Sequence, residues 1–196
     1  MFTISVDVDD TIAENSKMLD DVFEEKFGKR RDPQNYSYEE QYAITKEEAN
    51  EIISGAVASG LYKKLEPVFG AAQFLRFAQK SSKKIVYISN RAAFYDDTES
   101  AEKELRDWLK SNNFPKGHVR VVGSEKEKAK VAMAHNSEFM IDDNPLSIKA
   151  LMNFTDVIPV MFEREHNSYY KHGKVFNLKR WDQFPKFLED EYNETI

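Results

Sequence analysis

Five short runs of β-branched and aromatic residues, apolar almost from end to end, limit the folds open to this chain. Residues 3–6, 84–89, 119–122, 138–141 and 157–162 read as strands. A strand with one wet face alternates apolar and polar residues, whereas a strand covered on both faces does not, and most of these do not alternate. Helical patterns lie between them, over 70–80, 98–111, 126–134 and 145–152, and a last one over 181–192. Strands alternating with helices predict a parallel sheet joined by right-handed crossovers. The alternation breaks once. Residues 14–66 hold helical stretches (17–27, 38–43 and 46–59) around the turn-like Asp32-Pro33-Gln34-Asn35, and no convincing strand. A βα connection usually takes about 2–6 residues, so this segment reads as an inserted unit. The expected fold class is α/β: a doubly wound parallel sheet with a small helical cap inserted after the first strand. Residues 1–13 and 67–196 form the expected core, and 14–66 the cap.

A chain of 196 residues suits one hydrophobic core with a modest insertion. Its 28 basic and 34 acidic side chains give a net charge of −6, which disfavours nucleic acid and anionic membranes as partners. An anionic ligand must therefore be held locally by a metal ion, a few cations or backbone amides. The absence of cysteine removes disulfides, thiolate metal sites and cysteine nucleophiles together. No apolar run approaches a membrane span, and the start, MFTISVDVDD, lacks the pattern of a secretion signal. A soluble, cytoplasmic protein is expected.

Ligands of open parallel sheets bind beyond the carboxyl ends of the strands. Here those ends carry Asp7-Val8-Asp9-Asp10-Thr11, Ser89-Asn90-Arg91 and Asp142-Asp143-Asn144-Pro145. So many carboxylates at one edge repel unless a cation lies among them. Oxygen donors without His or Cys suit Mg²⁺. Asp7 and Asp9, two residues apart where the strand turns into a loop, can address one reacting group, one as nucleophile and the other as general acid/base. One of Lys126, Lys128 and Lys130 can lean over the same site and offset a phosphate.

Taken in order, Ile4-Ser5-Val6-Asp7-Val8-Asp9-Asp10-Thr11, Val86-Tyr87-Ile88-Ser89, a lysine near 128 and Phe139-Met140-Ile141-Asp142-Asp143 resemble the four motifs of the haloacid dehalogenase (HAD) superfamily of phosphatases, with its Rossmannoid core. The resemblance implies Asp7 as nucleophile and Asp9 as the acid that protonates the leaving oxygen and later activates water. It implies Mg²⁺ held by Asp7, the Asp9 carbonyl and Asp142, with Asp143 supporting a metal-bound water. Ser89 and a lysine would bind the phosphoryl oxygens. Lys128 is favoured because Lys128-Ala-Lys-Val131 matches the family's lysine followed three residues later by an apolar position. Asn90 and Arg91 join the candidate phosphate-binding set, although Arg91 could equally pair with an acid.

Within the superfamily the chain is most similar to the 5′(3′)-deoxyribonucleotidases and their bacterial and phage relatives. The helical insertion, the Leu65-Glu66-Pro67-Val68-Phe69-Gly70-Ala71 return to the core and a final Trp181 helix carry that likeness. Two departures stand out: those enzymes usually have Gly where this chain has Asp10, and Ser/Thr-Pro in place of Ser89-Asn90-Arg91. The expected activity is Mg²⁺-dependent hydrolysis of a nucleoside monophosphate through an aspartyl-phosphate. The alternatives are another small phosphate ester, a nucleic-acid terminal phosphate, or a non-catalytic phosphate-binding protein on the same fold. One or two of the aromatics Phe23, Phe27, Tyr36, Tyr38, Tyr42 and Tyr62 are expected to line a leaving-group pocket. His118, His135, His166 and His172 show no metal-ligand spacing and read as structural or surface residues. Oligomeric state is left open, a homodimer being one option.

Overall fold

The computed structural model describes residues 2–35, 37–80 and 83–192. Six parallel strands form its one sheet: β1 (Thr3–Asp7), β2 (Lys84–Ser89), β3 (His118–Val121), β4 (Ser137–Asp142), β5 (Ile158–Phe162) and β6 (Phe176–Leu178), in the order β3-β2-β1-β4-β5-β6. The five expected strands are all present. The sixth escaped the sequence pattern because it is a three-residue edge strand with an exposed Asn at its centre.

Successive side chains of a strand point to opposite faces, and here both faces are covered. Ile4, Val6, Tyr87, Phe139 and Ile141 join one apolar cluster with α4 (Ala71–Lys80), α5 (Thr98–Ser111) and α8 (Phe184–Tyr192). Val86, Ile88, Met140 and Met161 join another with α6 (Glu125–Ala134) and α7 (Pro145–Phe154). Near-continuous apolar runs are thus the sequence form of a sheet buried twice, each large apolar side chain contributing about 1.5–3 kcal/mol. The backbone at Gly117 runs so close to β2 that a Cβ there would lie 2.6 Å from the Ile85 carbonyl oxygen. The last helix begins as a 3₁₀ turn at Trp181–Gln183 and restarts as α8, where Pro185 sits in the first turn and lacks only an N–H the helix would not use.

The helical excursion holds α1 (Asn15–Phe27), α2 (Tyr38–Tyr42), α3 (Lys46–Ala58) and a 3₁₀ turn, Leu61–Lys64. Its two connections to the sheet run side by side, with Glu14 N–H donating to Glu66 O at 2.9 Å and Val68 N–H to Ile12 O at 2.9 Å. Thr45 and Glu48 form a capping box at the start of α3. Among the described residues no helix is long and apolar enough to cross a membrane.

Candidate active site

Parallel registry brings three remote strand ends together. Asp7 lies opposite Ile88, Val6 opposite Ile141, and Asp142 opposite Met161. Beyond β1 the chain folds tightly: Ile12 and Ala13 donate N–H to Val8 O at 3.0 and 2.9 Å, and Asp10 N–H to Ala13 O at 2.8 Å. Val8 and Ile12 plug this loop into the core, which leaves Asp7, Asp9 and Asp10 on its other side. Asp10 takes a left-handed backbone, φ 57°, which Asp tolerates better than most side chains.

Carboxylate oxygens of Asp7, Asp142 and Asp143 lie within 4.8 Å of one another, all three side chains being buried. Lys128 donates to Asp7 Oδ1 at 2.6 Å and to Asp142 Oδ2 at 3.0 Å. Of the three lysines, Lys128 is buried against these acids, Lys126 lies over the Phe154 ring, and Lys130 is exposed. Asp142 Oδ1 also accepts from Asn144 N–H, while Asn144 caps α7 ahead of Pro145, so this stretch both caps a helix and feeds the cluster.

One ammonium does not balance three buried acids. Burial lifts the Asp7 carboxyl well above its ordinary range, Lys128 pulls it back, and Asp142, Asp143 and Asp9 push it further up. Asp143 is raised as well, first by burial and then by Asp10 and Asp142. Lys128 is held above its ordinary value: burial works against the ammonium, but Asp142 and Asp7 outweigh it. The donor set, carboxylate oxygens short of positive charge, fits a hard divalent cation.

The other candidates fall beside this cluster. Asp9 Oδ2 accepts from Ser89 Oγ at 2.9 Å, and its two oxygens receive Arg91 Nε and Nη2 at 2.8–3.1 Å. Arg91 is therefore neither a surface residue nor unpartnered; its acid is Asp9. Asn90 Nδ2 turns to Glu125 at 3.3 Å. A cleft of about 420 Å³ opens above Asp9, Asp10 and Arg91, walled on the helical side by Leu19, Tyr38 and Ile53, with Tyr62 and Phe94 also lining it. Of the six aromatics singled out, Tyr38 and Tyr62 reach this cleft. Phe23, Phe27 and Tyr42 pack against one another, and Tyr36 lies outside the described residues.

Several neighbours of the cluster had no site role read from sequence. Asp143 Oδ1 accepts from Thr11 at 3.1 Å, its Oδ2 lies 3.0 Å from His166 Nε2, and its backbone carbonyl accepts from Asn167 at 2.6 Å. His166, read as structural or surface, is buried at the acidic cluster, and burial lowers its pKa. The rings of His118 and His135 stand with their centroids 5.1 Å apart. The Asp-x-Asp-x-Thr string could have flagged Thr11. Nothing local to residues 164–167 could have flagged His166, which gets there by the course of the loop after β5.

Comparison with known proteins gives one family. The model of the 5′ nucleotidase, deoxy (Pyrimidine), cytosolic type C protein family (NT5C) matches residues 1–186. No curated protein matches the sequence significantly. Among solved structures, a HAD-superfamily hydrolase of subfamily IA from Geobacter sulfurreducens is similar over 96% of both chains at 13% identity, TM-score 0.60. A family IA HAD hydrolase from Entamoeba histolytica has TM-score 0.62 at 9% identity, covering 93% of this chain and 95% of that one. D,D-heptose 1,7-bisphosphate phosphatase from B. bronchiseptica, complexed with magnesium and phosphate, has TM-score 0.58 at 8% identity, covering 97% and 99%. At such identities the likeness establishes the HAD-type fold.

Proposed function

The chain belongs to the cytosolic type C 5′-deoxynucleotidase family, HAD-type phosphoric monoester hydrolases, and on that premise we propose that it is a Mg²⁺-dependent 5′-nucleotidase acting on deoxyribonucleoside or ribonucleoside monophosphates. The observation that carries the reading is the meeting of Asp7, Asp142 and Asp143 around Lys128 at one sheet edge.

In this reading Asp7 is the nucleophile. Its carboxylate oxygen bonds to phosphorus as the bond from phosphorus to the leaving oxygen breaks, and Asp9 gives that oxygen its proton. Asp9 then takes a proton from water as the water attacks the aspartyl-phosphate, which releases inorganic phosphate and restores Asp7. Lys128 holds Asp7 Oδ1, leaving the other oxygen to attack, and its charge with the Ser89 hydroxyl steadies the phosphoryl oxygens. Asp7, the Asp9 carbonyl and Asp142 would hold Mg²⁺, with Asp143 behind them. The ion would supply charge neutralisation at the phosphoryl group. Thr11, His166 and Asn167 keep Asp143 in place for that task.

Residues 14–66 act as a cap over a core of 1–13 and 67–196. Tyr38, half-buried at the wall of the cleft, offers the leaving nucleoside aromatic surface, a contact worth about 1–3 kcal/mol per stacked base. The test is phosphate release with and without Mg²⁺ from dUMP, dTMP, sugar phosphates and a 5′-phosphorylated oligonucleotide. Preference for the mononucleotides, lost on chelation, is expected. A panel in which every ester is inert would sink the enzymatic reading, and a preference for the oligonucleotide would replace the substrate.

A further inference from the structure

Arg91 is a buried charged group of the cleft whose place the chemistry above leaves unexplained. Its side chain is 3% exposed and sits in the 3₁₀ turn Arg91–Phe94 directly after β2. The edge of the guanidinium is spent on Asp9: Nη2 donates to Oδ1 at 2.8 Å, and Nε lies 3.1 Å from Oδ1 and 3.0 Å from Oδ2. One face is covered by the Tyr62 ring, 3.9 Å from Cζ to its centroid. A forked guanidinium fixes the plane of a carboxylate as well as its position, which a point charge does not. Asp9 itself is 23% exposed and borders the cleft, so it is pinned from behind with its front open.

Resting on the nucleotidase reading, we propose that Arg91 is a positioning residue that acts through Asp9 and does not bind the phosphoryl group. The two oxygens of Asp9 are held differently. Oδ1 has the shorter contact to Arg91, whereas Oδ2 shares Nε and also accepts from Ser89 Oγ at 2.9 Å. Ser89 is the hydroxyl assigned to the phosphoryl oxygens. When a phosphoryl group claims that hydroxyl, Oδ2 loses a partner while Oδ1 stays on Arg91. Asp9, carrying its proton on Oδ2, then presents that proton to the leaving oxygen with the plane of the carboxyl group still fixed. Tyr62, at the return of the helical segment, keeps the guanidinium flat and so belongs to the same device.

The experiment compares Arg91→Met, Arg91→Lys and Tyr62→Leu with the wild type on dUMP and 4-nitrophenyl phosphate, with inorganic phosphate as inhibitor. Release of 4-nitrophenolate needs no proton from Asp9, so first-turnover bursts separate leaving-group protonation from binding. Misplacing a reacting group by about 1 Å can cost on the order of 10²-fold. For Arg91→Met we expect kcat on dUMP to fall by roughly that factor, and first-turnover nitrophenolate release to fall at least about tenfold less. Inhibition by inorganic phosphate should stay within about twofold. Arg91→Lys should recover part of the loss, and Tyr62→Leu, which leaves the ion pair standing, should show the same pattern at smaller amplitude. A tenfold weaker inhibition by phosphate with kcat kept would make Arg91 a phosphate ligand and overturn the proposal. Equal losses on both substrates in Arg91→Lys and Tyr62→Leu would overturn it too. A wild type inert on both substrates would instead sink the nucleotidase reading.

Discussion

Among the described residues, cationic side chains are buried against acids in two regions, and the two are built to opposite ends. At the sheet edge Lys128 faces Asp7 and Asp142, with Asp143 a further uncompensated acid. In the helical segment Arg31 meets Asp20 at 2.7 and 3.3 Å, and the Tyr38 hydroxyl donates to the same carboxylate at 2.9 Å. The second cluster balances one charge with one charge. It closes on itself, with the Arg31 Cζ 4.8 Å from the Tyr38 ring centroid. The first does not balance, and its Asp7 and Asp143 carboxyls are raised by burial and then by the acids around them. Balance suits a cluster that organises the fold; an excess of buried carboxylate suits one that can hold a cation.

That contrast breaks most visibly at Asp7. Asp7→Asn removes the proposed nucleophile, and kcat should fall by at least ~10³-fold. Because Lys128 keeps Asp142 at 3.0 Å and one crowded charge is gone, thermal stability should hold or rise. A variant that is both inactive and clearly less stable would mean that Asp7 is structural. Arg31→Met should do the reverse. It strands Asp20 without its cation, at a cost of about 3–5 kcal/mol for a buried pair, read from the urea midpoint. Its damage to catalysis should be greater with dUMP than with 4-nitrophenyl phosphate, since Tyr38 loses its support at the wall of the cleft. A loss below about 1 kcal/mol would remove the distinction between the two clusters.

Mg²⁺ sharpens the comparison through pH. A carboxyl whose pKa rises on folding stabilises the fold while protonated, and that stability is lost as pH climbs through the raised value. Asp7 and Asp143 therefore weaken the metal-free protein as pH rises out of the ordinary carboxylate range near 4. A divalent cation acts on the ionised form, so the thermal shift given by Mg²⁺ should grow from pH 5 to pH 8. At a hundred times its dissociation constant the ion adds about 2.7 kcal/mol. A shift independent of pH would place the ion elsewhere.

The sheet was legible because burial on two faces writes itself as uninterrupted apolar runs, and β6 was missed because three residues at an edge write almost nothing. Asp7, Asp142 and Lys128 could be located from strand ends and motif order, since topology alone brings those ends together. Their neighbours could not. Arg91 might have met a phosphate or an acid, and only the turn after β2 decides for Asp9. His166 and Asn167 lie 23 and 24 positions beyond Asp143 in the chain and reach it through the fold. Phe23 and Phe27, like Tyr38 and Tyr42, stand four residues apart, and which aromatics face the cleft depends on how α1, α2 and α3 pack.

The smallest expected effect lies at the joint between the two regions, where this chain has Asp10 in place of the glycine usual among the nucleotidases it resembles. Glu14, at the N-cap position of α1, makes no side-chain capping bond; Asp10 supplies the cap from outside the helix, accepting from Ser16 N–H at 2.8 Å and from the Ser16 hydroxyl. Arg164 donates to the Asp10 carbonyl at 2.6 Å and reaches Glu14 at 3.4 Å, so the loop after β5 braces the same joint. Asp10→Gly would lose a cap worth about 0.5–2 kcal/mol and relieve a left-handed backbone that costs about 1–2 kcal/mol. The two nearly cancel, so global stability should change by less than about 1 kcal/mol. The local consequence does not cancel, because glycine offers Ser16 no acceptor. Amide exchange at Ser16 should speed up several-fold while the amides of β1 stay protected. Unchanged exchange at Ser16 would show that α1 is anchored to the core by its packing alone, and that the two regions are joined without help from Asp10.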